Sequence, residues 1–456
     1  MINRFSRFQV QSVWKSKFNG SRYNSISSNE SFENLGIHKS LQLNLKEKFG
    51  ISSPTFGQSK IFPLLLANKN ILFKDCTGSG KTFGLALLTL SKTFDKFQAN
   101  ANNLEQKNLE TIFLVSSRDL AIQVYQWMKD LSLDSESKSI RYFISGRKSE
   151  ITINPTDFLN TQILIVTPIA LMTLLDLNVL NLSNLQLLII DEVDRLFTKE
   201  KKSGVRSIGE RLLKRIMYEK RTQQDLVHED NSSNSMIIPL QTVFSSATIN
   251  QKVVKKLETV ISDLIVMDFN ELEPLSSTIE HQCYYIDHDG ELCSVSQEAE
   301  QSNQSSVIKA KPVEYAFADD DDKVLKGLST IIQNENIRKA LLFTTSSVSL
   351  KSMIKRIESL GLKADKLINL QNYDNPKQFE WGDVNLICAT EYECRGLDLP
   401  DCTHVFILGL LATDAYVHVS GRVGRAGKKG VCISLLGGKR YVKPYLTMSK
   451  ILNIKL

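Results

Sequence analysis

Short runs of consecutive apolar residues alternate with longer amphipathic segments along the chain, from Phe32 onward. Continuous apolar runs are typical of strands buried on both faces of a parallel sheet, and amphipathic segments between them are typical of the covering helices. The runs are 71–73, 111–115, 163–166, 187–190, 242–244, 340–343, 384–388, 404–408 and 431–435. The pattern therefore predicts an α/β protein with two similar halves, each a parallel β-sheet flanked by helices.

Two segments interrupt this alternation. The first lies between Asp194 and Ser246, where basic residues are followed by an Asn/Ser cluster at 231–235. The second is 287–322, which is rich in Ser, Gln and Glu and ends in four aspartates. Low hydrophobicity with clustered charge favours disordered loops. The pattern predicts a first domain over 29–270 with an insertion at about 198–236, a linker and acidic low-complexity insertion over 271–322, and a second domain over 323–456.

Composition agrees with two domains. A chain of 456 residues is too long for a single hydrophobic core of ordinary size. Its 42% apolar and 23% charged residues are typical of globular proteins. No apolar run approaches the roughly 18 residues needed to cross a bilayer, so we expect no membrane insertion. The seven cysteines include no Cys-x-x-Cys pair, which favours reduced, buried thiols over disulfides or a zinc site.

The net charge of +6 is concentrated at one end of the chain. Residues 1–29 carry five basic residues and no acidic one, which leaves a single net positive charge for the rest. Arg-rich, Ser-rich, acid-poor segments are typical of mitochondrial transit peptides. The sequence thus predicts a transit peptide over about 1–28 and a location in the mitochondrial matrix. The alternative is a disordered basic tail that itself contacts RNA.

A glycine-rich stretch, Asp75 to Thr82, ends the first apolar run and opens a helix-like segment. Glycines let the backbone turn so that successive N–H groups face an anion, and the new helix adds the partial positive charge of its N-terminus. The loop residues are Thr77, Gly78, Ser79 and Gly80. Lys81 is then placed to reach the β- and γ-phosphates of a nucleotide, and the Thr82 hydroxyl to bind Mg²⁺. An ordinary glycine-rich turn is the alternative, which the strand–turn–helix context disfavours.

The second motif is acidic. It is Asp191-Glu192-Val193-Asp194, and it follows the apolar run 187–190. The carboxyl ends of parallel strands are where such sheets bind ligands. We expect Asp191 to hold Mg²⁺, usually through water, and Glu192 to polarise the water that attacks the γ-phosphate. Two acids that begin a solvated helix are the alternative, but the pairing with the phosphate loop favours the metal site.

Taken together, the ordered motifs resemble those of the DEAD-box RNA helicases of superfamily 2. The resemblance runs from about Phe32 to the C-terminus. It is carried by Gly-Ser-Gly-Lys-Thr at 78–82, Asp-Glu-Val-Asp at 191–194, Ser-Ala-Thr at 246–248, Arg-Gly-Leu-Asp at 395–398 and His-x-x-Gly-Arg-x-x-Arg at 418–425. It implies tandem RecA-like domains that use ATP and Mg²⁺ and bind RNA.

The resemblance also assigns further nucleotide contacts. The spacing of Gly50, Pro54-Thr55 and Gln58 is similar to the family's adenine-reading motif, and a Gln amide matches the N7 and exocyclic amine of adenine. Phe32 stands about where the family carries an aromatic residue that stacks on the base, and Asp398 where it contacts the ribose. A plain turn before a helix is the alternative for 54–58.

For RNA, the resemblance implies backbone contacts by Arg118, Thr167, Thr390 and Arg395. The first two stand at the starts of predicted helices, where N-termini suit phosphodiester oxygens. The alternative for Arg118 is an ordinary surface charge at the start of a helix. The chain departs from the family by Ser116, where a Pro is usual, and by Glu391 in place of Asp.

The resemblance also implies that Ser246 and Thr248 couple the two halves of the chain. Their hydroxyls would form hydrogen bonds with Asp194 and His418 across a cleft. Arg422 and Arg425 supply guanidinium groups that complement the γ-phosphate. Two departures stand out: Val419, where the family usually has Arg, and Asp75, where it mostly has a small residue. We expect the cleft to lack one polar contact at Val419 and the Asp75 carboxylate to point away from the phosphates.

These features predict an RNA-dependent ATP hydrolase that locally unwinds or remodels RNA as a monomer. The transit-like N-terminus and the long insert after Asp194 make the chain similar to fungal mitochondrial DEAD-box proteins, of the type that serves large-subunit rRNA assembly. Mitochondrial rRNA and assembly-factor or ribosomal proteins are the expected partners. Alternatives are an ATP-gated RNA scaffold with weak hydrolysis, an intron-splicing RNA chaperone, and a DNA translocase, which Gln58 and His418 disfavour.

Overall fold

The computed structural model describes most of the chain beyond residue 29. The described residues are 30–99, 108–132, 138–144, 158, 160–197, 206–230, 238–269, 275, 278–295, 322–344, 349–367, 381, 383–390, 401–424 and 428–454. They form two sheets of seven strands, each with helices packed on it. Among the helices within these ranges, none is long and apolar enough to cross a membrane.

The first domain is built on a fully parallel sheet with strand order β3-β4-β2-β5-β6-β1-β7. Its strands are β1 (Ile71–Lys74), β2 (Thr111–Leu114), β3 (Ile140–Phe143), β4 (Ile163–Val166), β5 (Leu187–Asp191), β6 (Gln241–Ser246) and β7 (Ile265–Asp268). Its helices are α1 (Lys39–Phe49), α2 (Phe56–Leu66), α3 (Lys81–Ala99), α4 (Arg118–Leu131), α5 (Pro168–Asp176), α6 (Val193–Leu196), α7 (Ile208–Asp230) and α8 (Gln251–Glu258).

The second domain repeats the scheme with strand order β11-β12-β10-β13-β14-β8-β9, in which only β9 is antiparallel to its neighbour. Its strands are β8 (Ile279–Ile286), β9 (Leu292–Ser294), β10 (Ala340–Thr344), β11 (Ala364–Lys366), β12 (Leu386–Thr390), β13 (His404–Leu408) and β14 (Gly430–Leu436). Its helices are α9 (Asp322–Asn334), α10 (Leu350–Ser359), α11 (Thr413–Ser420) and α12 (Val442–Ile451), with a 3₁₀ turn at Lys439–Tyr441.

The predicted α/β fold with two parallel sheets is confirmed, and each apolar run of the sequence lies wholly or mostly in a strand. The structure also places strands where the sequence pattern predicts none. Strands β8 and β9 lie in the interval predicted as a linker, and α7 fills most of the predicted insertion at 198–236. The burial pattern along β8 alternates, so its sequence does not form the continuous apolar run of a central strand.

Both faces of each sheet are covered by apolar clusters. In β1, Ile71 and Phe73 point to one cluster of the first domain and Leu72 to the other, and Leu341 and Leu342 divide in the same way in β10. Alternation of successive side chains across a strand gives this division. Covered faces leave the carboxyl edges of the strands as the place where polar residues gather.

Candidate nucleotide site in the interdomain cleft

A tight loop joins β1 to α3 at the carboxyl edge of the first sheet. Gly78 and Gly80 have φ of 79° and 83°, a backbone region that glycine adopts without steric cost. A Cβ on Gly80 would also lie 2.9 Å from the Gln58 amide nitrogen. The loop therefore needs glycine at this position both for its turn and for its close approach to α2.

The N-terminus of α2 braces this loop through two side chains. Thr55 donates its hydroxyl to the carbonyl of Ser79 at 3.1 Å, and Gln58 donates its amide to the carbonyl of Gly80 at 3.0 Å. The Gln58 amide oxygen accepts from the backbone N–H of Thr55, which completes a capping box. One amide N–H and one oxygen lone pair of Gln58 remain for the predicted adenine contact.

Lys81, the first residue of α3, folds back over the loop. Its ammonium donates to the carbonyl of Asp75 at 2.9 Å and to that of Cys76 at 2.5 Å. Phosphate oxygens are stronger acceptors than these neutral carbonyls, so a bound triphosphate can replace them. Burial raises the pKa of the Cys76 thiol to about 12, so this side chain remains neutral beside the loop.

The Asp75 carboxylate turns toward α2, as the sequence analysis expects. One oxygen accepts from the backbone N–H of Cys76 at 2.8 Å. The other oxygen lies 2.5 Å from where a Cβ on Gly57 would be. Gly57 thus provides the space in which the carboxylate lies.

Asp191, at the end of β5, is 1% exposed and its carboxylate is enclosed by donors. One oxygen accepts from the Thr82 hydroxyl at 2.6 Å, and the other from the N–H of Glu192 at 3.0 Å and from the Ser245 hydroxyl. Burial, and next the charge of Glu192, raise the pKa of Asp191. A buried carboxylate beside a hydroxyl is a set of hard oxygen donors that suits Mg²⁺.

These two side chains are a partial ligand set. Within the described ranges no group of three or more His, Cys, Asp or Glu side chains converges on one point. Mg²⁺ typically takes one or two carboxylates and completes its shell with waters and substrate phosphates. Thr82 and Asp191 match that pattern at the mouth of the phosphate loop.

Glu192 has a left-handed backbone conformation, with φ of 53°. This conformation is uncommon for a residue with a Cβ and costs of order 1–3 kcal/mol, and such residues cluster at active sites. The side chain is buried, and its Oε2 accepts a hydrogen bond from the Ser116 hydroxyl.

Asp194 links the two domains. Its Oδ2 accepts from the Thr248 hydroxyl at 2.8 Å and lies 2.8 Å from Nε2 of His418 in α11. The structure therefore brings Asp194, Thr248 and His418 into contact across the cleft. Ser246 differs, because its hydroxyl donates to the carbonyl of Thr248 at 2.7 Å and so shapes the local turn.

A second contact joins the phosphate loop to the second domain. The Thr77 hydroxyl donates to the carbonyl of Val417 at 3.4 Å, and a Cβ on Gly421 would lie 1.6 Å from that hydroxyl. The neighbouring Arg422 is 4% exposed and donates from Nε to the carbonyl of His418 at 2.9 Å. Arg422 thus belongs to the segment of the second domain that closes on the phosphate loop. Arg425 lies outside the described residues.

Val419 follows His418 in α11. The sequence analysis expects the cleft to lack a polar contact there. In the structure Val419 is 2% exposed and belongs to the apolar cluster of the second domain, which also contains Ala247 from the first. An apolar contact between domains therefore takes the place of the missing polar one.

Phe32 corrects one expectation, that its ring stacks on the nucleotide base. Its ring is 3% exposed and packs in the core of the first domain with Leu35 and Ile37. A ring so enclosed presents no face on which a base can stack. The aromatic position of the predicted motif is thus used here for packing.

The predicted RNA residues lie along the carboxyl edges of the sheets. Arg118 is exposed at the start of α4, and Thr167 precedes Pro168 at the start of α5. These helices follow β2 and β4, which are neighbours, so their N-termini open on one edge. Thr390 ends β12 in the second sheet. Arg395 and Asp398 lie outside the described residues.

Several site residues have no role in the sequence analysis. Ser116 and Ser245 bind the two carboxylates, and Gly57 and Gly421 admit Asp75 and Thr77. Ser116 is noted in the sequence only as a departure from a usual proline. Such roles depend on neighbours distant in the chain, so no local pattern indicates them.

Comparison with protein families agrees with this geometry. The model for DEAD/DEAH box helicases matches residues 55–257, and that for the helicase conserved C-terminal domain matches residues 323–427. Together they cover about two thirds of the chain.

Curated relatives are helicases of greater length. The chain is 27% identical over 437 residues to the ATP-dependent RNA helicase MAK5 of Saccharomyces cerevisiae, with 88% of this chain and 53% of that protein covered. It is 26% identical over 429 residues to the probable ATP-dependent RNA helicase ddx27 of Dictyostelium discoideum, with 92% and 47% covered. The chain spans about half the length of these relatives.

Solved structures share the fold. The DEAD-box helicase Mss116 bound to ssRNA and UDP-BeF superposes with a TM-score of 0.69 at 18% identity, covering 94% of this chain and 79% of that one. S. cerevisiae Dbp5 bound to RNA and ADP BeF3 gives 0.66 at 20% identity, covering 93% and 94%. With both family models matched in order over about two thirds of the chain, the chain belongs to the DEAD-box family of ATP-dependent RNA helicases.

Proposed function

We propose that this protein hydrolyses Mg-ATP in the interdomain cleft and uses the closure of the cleft to remodel RNA. The observation that carries the proposal is the pair of contacts across the cleft, Asp194 with His418 and Thr77 with Val417. They bring the phosphate loop, the acidic motif and Arg422 to one place. ATP contacts made by residues of both domains then favour the closed arrangement.

Each side chain has a distinct part in this reaction. Lys81 holds the β- and γ-phosphates, and Thr82 and Asp191 would hold Mg²⁺, which neutralises charge on the phosphate oxygens. Glu192 orients the attacking water and accepts its proton. Arg422 stabilises the negative charge that develops on the γ-phosphate, a contribution that reaches 10³–10⁵ in rate for arginine fingers in general.

RNA is proposed to bind along the carboxyl edge formed by the starts of α4 and α5, through Arg118 and Thr167. Helix N-termini favour phosphate oxygens, and backbone contacts carry little sequence information. Support comes from the Mss116 and Dbp5 structures, which are complexes with RNA and nucleotide. Thr390 would extend the contact to the second domain when the cleft is closed.

Within the cell, we propose that the protein acts as a monomer in the mitochondrial matrix, on the rRNA of the large ribosomal subunit. The acid-poor basic segment at residues 1–28 supports import, because it responds to a matrix-negative potential. A reporter fused behind this segment should enter mitochondria and be shortened. A cytosolic or nuclear signal from the full chain would contradict this location, and crosslinking with sequencing would identify the RNA.

The activity is tested by RNA-stimulated ATP hydrolysis and by displacement of a strand from a short RNA duplex. Lys81→Ala should abolish ATP binding, because the ammonium is the cation of the loop. Glu192→Gln should keep ATP and RNA binding but lose turnover, because an amide cannot accept the proton of the water. Equal ATP affinity in wild type and Lys81→Ala, or a wild type that RNA does not stimulate, would refute the proposal.

A further inference from the structure

Ser116 lies between β2 and α4, immediately before the helix that carries Arg118. It is buried, and its hydroxyl donates to Oε2 of Glu192. The family pattern has proline at this position, and a proline side chain has no hydroxyl to donate. The contact is thus a feature of this chain's own sequence.

The sheet register explains why these two residues meet. Strands β2 and β5 are parallel neighbours, and Leu114 pairs with Ile190. Ser116 and Glu192 each lie two residues beyond that pair, so the register brings both residues to the same carboxyl edge of the sheet. Ser245 and Asp191, which pair between β6 and β5, meet by the same rule.

We propose that Ser116 is a positioning residue for ATP hydrolysis, which holds one carboxylate oxygen of Glu192 so that the other faces the attacking water. A carboxylate on a flexible side chain samples several orientations, and only some of them suit proton transfer. The left-handed backbone of Glu192 fixes where the side chain starts, and the Ser116 hydroxyl fixes where one oxygen ends. Neither residue alone determines the direction of the free oxygen.

The inference rests on the ATP hydrolysis proposed above. Ser116→Ala should lower kcat of RNA-stimulated hydrolysis about tenfold, because a hydrogen bond to a charged group is lost. KM for ATP should change less than about twofold, because the Ser116 hydroxyl is donated to Glu192, which acts on the attacking water. Ser116→Thr keeps the hydroxyl and should restore most of the rate.

A double-mutant cycle separates positioning from a structural effect. In a Glu192→Ala background, measured in single turnover with excess protein, Ser116→Ala should change the residual rate by less than about twofold. The matched control is Ser117→Ala, which removes the neighbouring hydroxyl that caps α4 and accepts from Leu120. Ser117→Ala should change the hydrolysis rate by the same factor in the wild-type and Glu192→Ala backgrounds.

The outcomes separate the two proposals. If RNA does not stimulate ATP hydrolysis by the wild type, the proposed function fails. If the wild type is active and Ser116→Ala retains its kcat, the positioning role is wrong. An equal loss from Ser116→Ala in the wild-type and Glu192→Ala backgrounds would likewise overturn it, because the effect would then be independent of the carboxylate.

Discussion

Asp75 departs from the family pattern, and in the structure its carboxylate depends on the space left by Gly57, a residue distant in the chain. The Asp75 carboxylate occupies the place where a side chain on residue 57 would begin. This arrangement keeps its charge turned away from the phosphates, whose oxygens it would otherwise repel. The acidic residue in the phosphate loop is therefore tolerated because residue 57 is glycine.

Gly57→Val should weaken ATP binding, because the new side chain displaces the Asp75 carboxylate from its place beside α2. We expect a loss of about tenfold, of the size that a misplaced charge near a bound anion produces. Asp75→Ala in the same chain should restore affinity, since it removes the displaced charge. Titration with a fluorescent ATP analogue measures both variants. Equal weakening with and without Asp75 would contradict the dependence.

Val419 shows where motif comparison alone misleads. The family pattern suggests that an arginine would complete the cleft, but the structure places Val419 among apolar residues. Val419→Arg should reduce stability by on the order of 3 kcal/mol, the scale of an uncompensated buried charge. Thermal unfolding with Val419→Ile as the control measures this. Unchanged stability with stronger RNA stimulation would instead show that an arginine at this position makes the polar contact that the family pattern implies.

Among the elements of the first sheet, the central strands are predictable from the sequence and the two edge strands are not. β1 and β5 lie inside the first sheet, and both of their faces are covered, so their residues are continuously apolar. β3 and β7 lie at the two edges of the first sheet and have exposed side chains. Along β7, exposed and half-buried side chains alternate. Their weak patterns also fit loops, and only pairing with a neighbour makes them strands.

Helix α7 shows the same limit in a helical element. Its polar and basic composition led to the prediction of an insertion, yet Leu212, Leu213 and Ile216 pack it into the apolar cluster of the first domain. The helix also buries Lys220, whose ammonium donates to the carbonyl of Ser183 at 3.4 Å. The apolar stripe spans only part of the helix, so the overall composition conceals it.

Burial lowers the pKa of Lys220 to about 8 from an ordinary value of 10.5. The unfolded chain therefore binds more protons between these values, and the penalty of burying the charge diminishes as the pH rises from 8 toward 10.5. Lys220→Met should raise the melting temperature at pH 7, by about 2 °C, and less at pH 10. Gln224 still donates to the Ser183 carbonyl at 3.0 Å. A gain independent of pH would contradict this origin.

At the scale of the whole molecule, contacts across the cleft involve separate segments of the first domain. Thr77 in the phosphate loop, Asp194 in the acidic motif and Ala247 all contact α11 or the apolar cluster around it. The motifs identify the first two segments from sequence, because their chemistry requires particular side chains. The apolar contribution of Ala247 has no such signal and depends on how the domains meet.

Gly421 is where the second domain comes nearest to the phosphate loop. Its φ of −69° is ordinary for any residue, so the need for glycine comes from its neighbours, chiefly Thr77 and next the Val417 carbonyl oxygen at 3.1 Å. Gly421→Ala should leave the fold of the second domain intact and keep the cleft from closing fully. Because a misplacement of about 1 Å can cost 10²-fold in rate, we expect RNA-stimulated hydrolysis to fall by that order.

ATP binding to the first domain should persist in Gly421→Ala, since Lys81 and the phosphate loop are unchanged. The matched control is Gly327→Ala in α9, a second-domain glycine whose added Cβ would meet only Ile286 and Leu292, at 3.1 and 3.2 Å. This control should retain RNA-stimulated hydrolysis. If Gly421→Ala hydrolyses ATP as fast as the wild type, closure against Thr77 is not required for turnover. If the control loses activity equally, the effect belongs to folding of the second domain, because Gly327 does not touch the cleft.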